Sequence, residues 1–333
     1  MLVTEVPAFR QFWYAVCFAE DLAAGPLARR LLGEDLVLWQ PTPGEVRAAY
    51  DRCPHRDARL SAGWTSGECV VCPYHGWEFG ADGKATHIPH MEVGLPVPPK
   101  ARLTVYRSEI RYGVVWVALE EPIRPIPDLP MLDDPATRSI RQFDEVWKAS
   151  APRLMDNSFD PAHTTFVHRN TFGAGADVQV PEVERTPNGI IMRTEVKVKQ
   201  VAGLEHITGD GSETTVRTVE TTWWAPFFRV LDQTYPSGVR HTIAMSATPV
   251  DDTHLRLVQW VMRNDTENDV PAADVIEFDR RVTLEDKELL EQVWPDYSLD
   301  LTDNVHIKID RPTVVIRQVL AEICAGEWAA AGS

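Results

Sequence analysis

Basic residues are in short supply. The 333-residue chain carries 33 Lys and Arg against 49 Asp and Glu, a formal net charge of −16. So acidic a surface repels phosphate backbones and anionic lipid, which argues against nucleic acid or a membrane as partner. Long apolar runs are missing too: no stretch approaches the roughly 20 residues that a spanning helix needs. The first residues hold no basic leader followed by an apolar stretch, so a soluble, cytoplasmic chain is expected. Cysteine is scarce, at five positions: Cys17, Cys53, Cys69, Cys72 and Cys324. An odd number over this length is no disulfide framework, and in a reducing compartment a cluster of cysteines points to metal or catalysis. Cys17 and Cys324, in apolar surroundings, are expected to be inert core thiols. The sequence also lacks a glycine fingerprint on a strand-to-helix turn, so a bound dinucleotide is not expected.

Proline, by contrast, is plentiful, with 25 residues. It is densest over 121–135 (EPIRPIPDLPMLDDP), which suits neither a helix nor a central strand. We expect domains at 1–120 and 141–333, joined by a connector over 121–140. In the first, β-branched and aromatic runs at 35–40, 68–72, 101–106 and 113–119 alternate with turns such as GADG at 80–83, predicting a small all-β domain. In the second, strand alternation over 190–201, 215–224, 239–248 and 255–262 predicts an antiparallel sheet. Pro271 and Pro295 bracket a helix, and another covers 314–328. The fold class is α+β.

Two short motifs dominate the first domain: Cys53-Pro54-His55 and Cys72-Pro73-Tyr74-His75-Gly76-Trp77. Two thiolates and two imidazoles are a common zinc set. Zinc sites, however, usually pair Cys with Cys and His with His. Here each loop supplies one of each, as a Rieske 2Fe–2S cluster requires, with both thiolates on one iron and both imidazoles on the other. Cys69 is read as a strand residue.

A Rieske domain needs only about a hundred residues, which leaves most of the chain to explain. His163 and His168, in MDNSFDPAHTTFVH, are spaced i, i+5. To face one ion they need a departure from regular helix, such as a π-bulge or a helix end. Downstream, Val275, Phe278, Val282, Leu289, Leu290 and Val293 form a helical stripe, and Asp286 lies on it. A carboxylate on a buried face calls for a salt bridge or a cation. Glu285 and Glu288 fall off the stripe and are read as solvated. Two His and one carboxylate compose the facial triad of non-haem Fe(II) oxygenases.

Together, CPH…CPYHGW, DN…DPAH…VH and the LEDKELLEQV helix resemble the catalytic α subunits of Rieske non-haem iron oxygenases. The likeness covers nearly the whole chain and is strongest to the single-subunit vanillate and dicamba demethylase group. It implies a catalytic domain in which a curved antiparallel sheet and helices enclose a substrate pocket, in a helix-grip-like arrangement. It also implies a homotrimer or stacked trimers, in which the cluster of one chain serves the iron of the next. Asp160 matches the family's bridging acid, facing His75 of a neighbour; the plain alternative is a cap for the helix carrying His163. Asn157 matches a position near the iron.

The resemblance further implies O2-dependent monooxygenation of a small aromatic or polycyclic substrate, with O- or N-demethylation favoured. Electrons would come from NAD(P)H through a separate ferredoxin or flavin reductase. Hydroxylation, ring cis-dihydroxylation and a plain electron carrier are the competing readings. Pocket residues are expected among Trp223, Trp224, Phe227, Phe228 and His241.

Overall fold

The computed structural model describes residues 1–92, 94–173, 179–200, 205–208 and 213–328. The chain separates into two compact units, one of Phe9–Ile126 and one of Met1–Ala8 with Pro127–Ser333.

The first unit holds β1 (Tyr14–Phe18), β2 (Leu27–Leu31), β3 (Glu34–Trp39), β4 (Arg47–Tyr50), β5 (Trp64–Ser66), β6 (Cys69–Val71), β7 (Glu78–Phe79), β8 (Ala85–His87), β9 (Val105–Arg111) and β10 (Val114–Ala118). A six-stranded sheet runs β1-β10-β9-β4-β3-β2 and a four-stranded one β5-β6-β7-β8. Continuous apolar runs become central strands: every residue of β10 (VVWVA) is buried. Val37, Trp39, Leu60, Val70, Phe79 and Leu103 form one core cluster with Cys53 and Cys72. The run at 101–106 is not a strand throughout. Its first residues tie back to the GADG turn, Leu103 N–H donating to the Gly83 carbonyl at 2.8 Å, and β9 begins only at Val105.

The second unit contains β11 (Arg138–Trp147), α1 (Ala151–Ser158), α2 (His163–Val167), β12 (Glu182–Thr186), β13 (Gly189–Lys199), β14 (Thr214–Trp224), β15 (Phe228–Thr234), β16 (Arg240–Pro249), β17 (Leu255–Arg263), α3 (Ala272–Leu290) and α4 (Arg311–Ala325). Its strands form one antiparallel sheet, ordered β11-β17-β16-β15-β14-β13-β12. β11, β12 and β15 are additional to the four predicted strands, and Val201, expected in β13, lies outside the described residues. Strict alternation in β14 turns Thr215, Arg217, Val219, Thr221 and Trp223 inward. Over that inner face lies α3, packed through Val275 and Phe278 against Ile140 and Val261. The architecture is the expected α+β arrangement: a β-rich first unit, then a curved antiparallel sheet with helices.

All five cysteines are free. Cys17 is buried in β1, but Cys324 is exposed, which corrects its expected core place. On α4 the buried side is Ile316, Val319, Leu320 and Ile323, and Cys324 points away from it. Leu289 and Val293, placed on the buried stripe of α3, are likewise 41 % and 36 % exposed. Among the described residues no helix is long and apolar enough to cross a membrane.

Candidate metal centres

Two loops of the first unit fold on one plan. Cys53 N–H donates to the Ala58 carbonyl (2.8 Å) and Asp57 N–H to the Cys53 carbonyl (3.0 Å). In the second loop, Cys72 N–H donates to Trp77 (2.9 Å) and Gly76 N–H returns to Cys72 (3.0 Å). Each loop closes on a residue in the left-handed region, Asp57 at φ 58° and Gly76 at φ 67°. At Gly76 a Cβ would also lie 3.2 Å from Pro89. The paired turns bury both cysteines and hold the His55 and His75 rings with centroids 4.5 Å apart. Trp77 stacks on His55 at 4.6 Å.

This set suits a 2Fe–2S cluster. Burial, with Cys72 beside it, pushes the Cys53 thiol up to about 11, so this thiol ionises at neutral pH only against a cation. His75 Nδ1 is buried and has no hydrogen-bond partner. An orphaned ring nitrogen beside two adjoining thiols is a ligand set in want of a metal.

In the second unit α1 stops at Ser158, and Asp160 Oδ1 accepts the Ala162 N–H (2.8 Å) as the chain turns into α2. His163 is the first residue of α2 and His168 its C-cap, with φ −92° and ψ 22°. The i, i+5 pair is therefore brought together by a helix end. Asp286 comes from α3, and one ligand atom each from His163, His168 and Asp286 lie within 4.8 Å of one another. From Asp286 Oδ1, His163 Nε2 is 3.6 Å and His168 Nε2 3.4 Å away. Asn157 Nδ2 donates to the same oxygen at 3.2 Å.

The far side of each imidazole is held. His163 Nδ1 meets the Asp160 carbonyl, and His168 Nδ1 lies 2.9 Å from Glu285 Oε2, which also accepts from Thr171 Oγ1 at 2.7 Å. Both rings thus present Nε2 to the triad. Glu285 is not solvated, and its expected place is corrected here. On the short α2 the His168 ring leans along α3 far enough to meet two successive residues. Beneath, Asp156 is gripped by Arg317 Nη2 (2.6 Å) and Tyr297 OH (2.8 Å), fixing α1 and hence Asn157.

Charge follows this geometry. Burial pushes His163 below the usual imidazole range, more than Asp286 raises it. Burial also acts to lower His168, but hydrogen bonds to Asp286 and Glu285 carry it above that range. For Asp286, burial works upward, yet the two imidazoles and Asn157 hold the carboxyl below its ordinary value. A largely buried, ionised carboxylate facing the Nε2 atoms of two imidazoles is a fitting donor set for Fe(II).

The triad borders a cavity of about 120 Å³ between α3 and the inner face of the sheet. Asn157 and Asp160 line it; among further lining residues are Trp147, Phe172, Arg217, Arg229 and Phe278. Trp223, Phe227, Phe228 and His241 do not line it. They are buried, Trp223 by donating to the Pro226 carbonyl (3.0 Å) and His241 by accepting from Arg263 (2.7 Å). Trp224 borders a separate groove with Met131 and Arg240. Trp223, Phe227 and Phe228 fill core rather than pocket. The pocket's arginines went unnoticed in the sequence because strand register alone turns them inward.

A Rieske [2Fe-2S] domain model matches residues 12–106, and the model of the vanillate O-demethylase oxygenase C-terminal domain matches residues 147–326. Over 323 residues the chain is 29 % identical to the methylxanthine N1-demethylase NdmA of Pseudomonas putida, covering 94 % of this chain and 89 % of that one. It is 33 % identical over 190 residues to the oxygenase component of dicamba O-demethylase from Stenotrophomonas maltophilia, covering 55 % and 52 %. The structure of NdmA with caffeine superposes with a TM-score of 0.84 at 27 % identity, covering 99 % of this chain and 95 % of that one. Dicamba monooxygenase bound to dicamba shares the fold, at TM-score 0.81 and 22 % identity over 96 % and 99 %. With both centres assembled from matching segments, the chain belongs to the Rieske non-haem iron oxygenases, as a catalytic subunit related to the vanillate, dicamba and methylxanthine demethylase oxygenases.

Proposed function

We propose that this oxygenase removes a methyl group from oxygen or nitrogen on a small ring compound. The observation that carries the reading is the His163–His168–Asp286 triad at the edge of a largely apolar cavity. When bound, the cluster at Cys53, His55, Cys72 and His75 stores one electron, and iron at the triad activates O2 for insertion into a C–H bond. The surrounding residues prepare that chemistry. Glu285 and the Asp160 carbonyl fix the two imidazoles in orientation, Asn157 holds Asp286, and Trp147, Phe172 and Phe278 exclude water from the substrate. A methyl on O or N, once hydroxylated, leaves as formaldehyde.

In this reading residues 1–120 receive the electron, 121–140 connect, and 141–333 hold the substrate. NAD(P)H supplies electrons through a separate ferredoxin or flavin reductase. Asp160, whose carboxylate caps the turn into α2, also passes the electron from His75 of a neighbouring copy in a homotrimer or stacked trimers. A cytoplasmic location fits such a reductase-fed enzyme.

A single turnover tests the reaction. Reduced, Fe(II)-loaded protein meets O2 and methoxy- or N-methyl-substituted ring compounds, and formaldehyde is followed with product mass. Formaldehyde matched to a loss of CH2 supports demethylation; a gain of one oxygen without formaldehyde assigns hydroxylation instead.

A further inference from the structure

Besides Asp160, Asp279 and Asp286, the cavity is lined by two arginines, Arg217 and Arg229. They are not equivalent. Arg217 is packed: its guanidinium lies 4.6 Å over the Phe172 ring and Nη1 donates to Tyr235 OH at 3.4 Å. Arg229 stands on β15, where strand register sets it between Trp223 and Met245 on the inner face. Among the described residues it forms no hydrogen bond and no ion pair, and its Nε is buried without a partner.

Two carboxylates lie within electrostatic reach of Arg229, and both are engaged elsewhere. Asp286 serves the triad and accepts from Asn157. Asp279 accepts from Gln142 Nε2 and has His241 Nε2 3.1 Å away. Burial pulls Arg229 down to about 10 against the upward pull of these carboxylates, so it stays protonated at neutral pH. A desolvated guanidinium without a counter-ion is costly unless a ligand supplies one. Near it on the same face, the cavity-lining Thr221 has a buried hydroxyl that also lacks a partner.

We infer that Arg229 is the counter-ion for an oxyanion on the substrate, so the cavity takes a ring compound bearing a carboxylate or sulfonate besides its methyl group. The guanidinium presents a planar fork that matches such oxyanions, and the Thr221 hydroxyl offers a further donor. The cavity's volume is of the order of one that admits a benzene ring, about 150 Å³. At about 120 Å³ here, the scale of ligand is a single small ring rather than a fused ring system. This rests on the oxygenase cavity being the substrate site, and it deepens the demethylation reading by assigning the substrate's charge.

Calorimetry on the metal-loaded protein under argon, with 4-methoxybenzoate, 4-methoxybenzenesulfonate and neutral 4-methoxybenzamide, tests it without turnover. We expect at least one of the anions to bind about tenfold or more tightly than the amide. Arg229→Gln should erase that preference, while Arg229→Lys, which keeps the charge, should retain part of it. Equal affinity for amide and anions in the unaltered protein, no binding of either anion, or an undiminished preference in Arg229→Gln would each overturn the assignment. Admitting O2 separates the two readings. Anion binding without formaldehyde leaves Arg229's role standing and removes demethylation; formaldehyde from the amide alone does the reverse.

Discussion

Glu285 Oε2 lies 2.9 Å from Nδ1 of His168 and takes a second hydrogen bond from Thr171. One residue along the same helix, Asp286 faces the opposite nitrogen of that ring. Successive carboxylates of α3 therefore hold both ends of one imidazole, the outer fixing its orientation and the inner sharing its metal.

Glu285→Ala should leave the His168 ring and the Thr171 hydroxyl without their acceptor. Loss of such an outer partner typically weakens metal affinity about 10- to 100-fold. Iron retained after dialysis against a chelator should fall, while the visible spectrum of the 2Fe–2S cluster stays unchanged. Unaltered iron retention would show that Glu285 is dispensable.

Asp286→Ala removes a ligand outright. Iron should fall from about three to about two atoms per chain, the two of the cluster remaining. The same assay checks the class of protein, since a plain electron carrier would hold about two before any substitution.

Asp160→Asn separates the observed cap from the proposed bridge. The amide oxygen can still accept the Ala162 N–H, so the turn into α2 and both metals should survive. Turnover should be lost if the carboxylate also bridges to a neighbouring copy. Normal turnover would reduce Asp160 to its capping role.

Away from the metals, Asp265 sits between Arg138 Nη2 (2.6 Å) and Arg263, whose side chain is fully buried. Burial works to raise the Asp265 carboxyl, but Arg263 and then Arg138 hold it below the ordinary range. A carboxyl depressed by folding stabilises the fold above its unfolded value near 4, and that stabilisation is lost as pH falls through the lowered value. Asp265→Asn should cost about 3 kcal/mol or more at neutral pH, by stranding a buried guanidinium. Thermal melts of the variant and the unaltered protein should therefore differ most at neutral pH and converge in acid. A constant gap across pH would remove the charge argument.

Sequence and tertiary structure divided the information by range. The cluster loops were legible because each ligand pair is local: one Cys and one His two or three residues apart, with Pro or Gly shaping the turn. The iron site was nearly so. His163 and His168 lie in one segment, and Asp286 stood out as a charge on an apolar stripe, although Leu289 and Val293 of that stripe proved exposed. The strongest alternating runs became β13, β14, β16 and β17. β15 was hidden, because the aromatic run before it obscured its alternation.

What sequence could not determine was which inward residues meet core and which meet cavity. Trp223 and Arg229 are paired neighbours on one face, yet the indole is sealed and the guanidinium lines the cavity, since the space depends on how α3 packs over the sheet. Nor does helical periodicity reveal that Glu285 reaches His168, because that contact exists only once α2 has ended beside α3. Local spacing named the ligands; packing between distant segments decided what surrounds them.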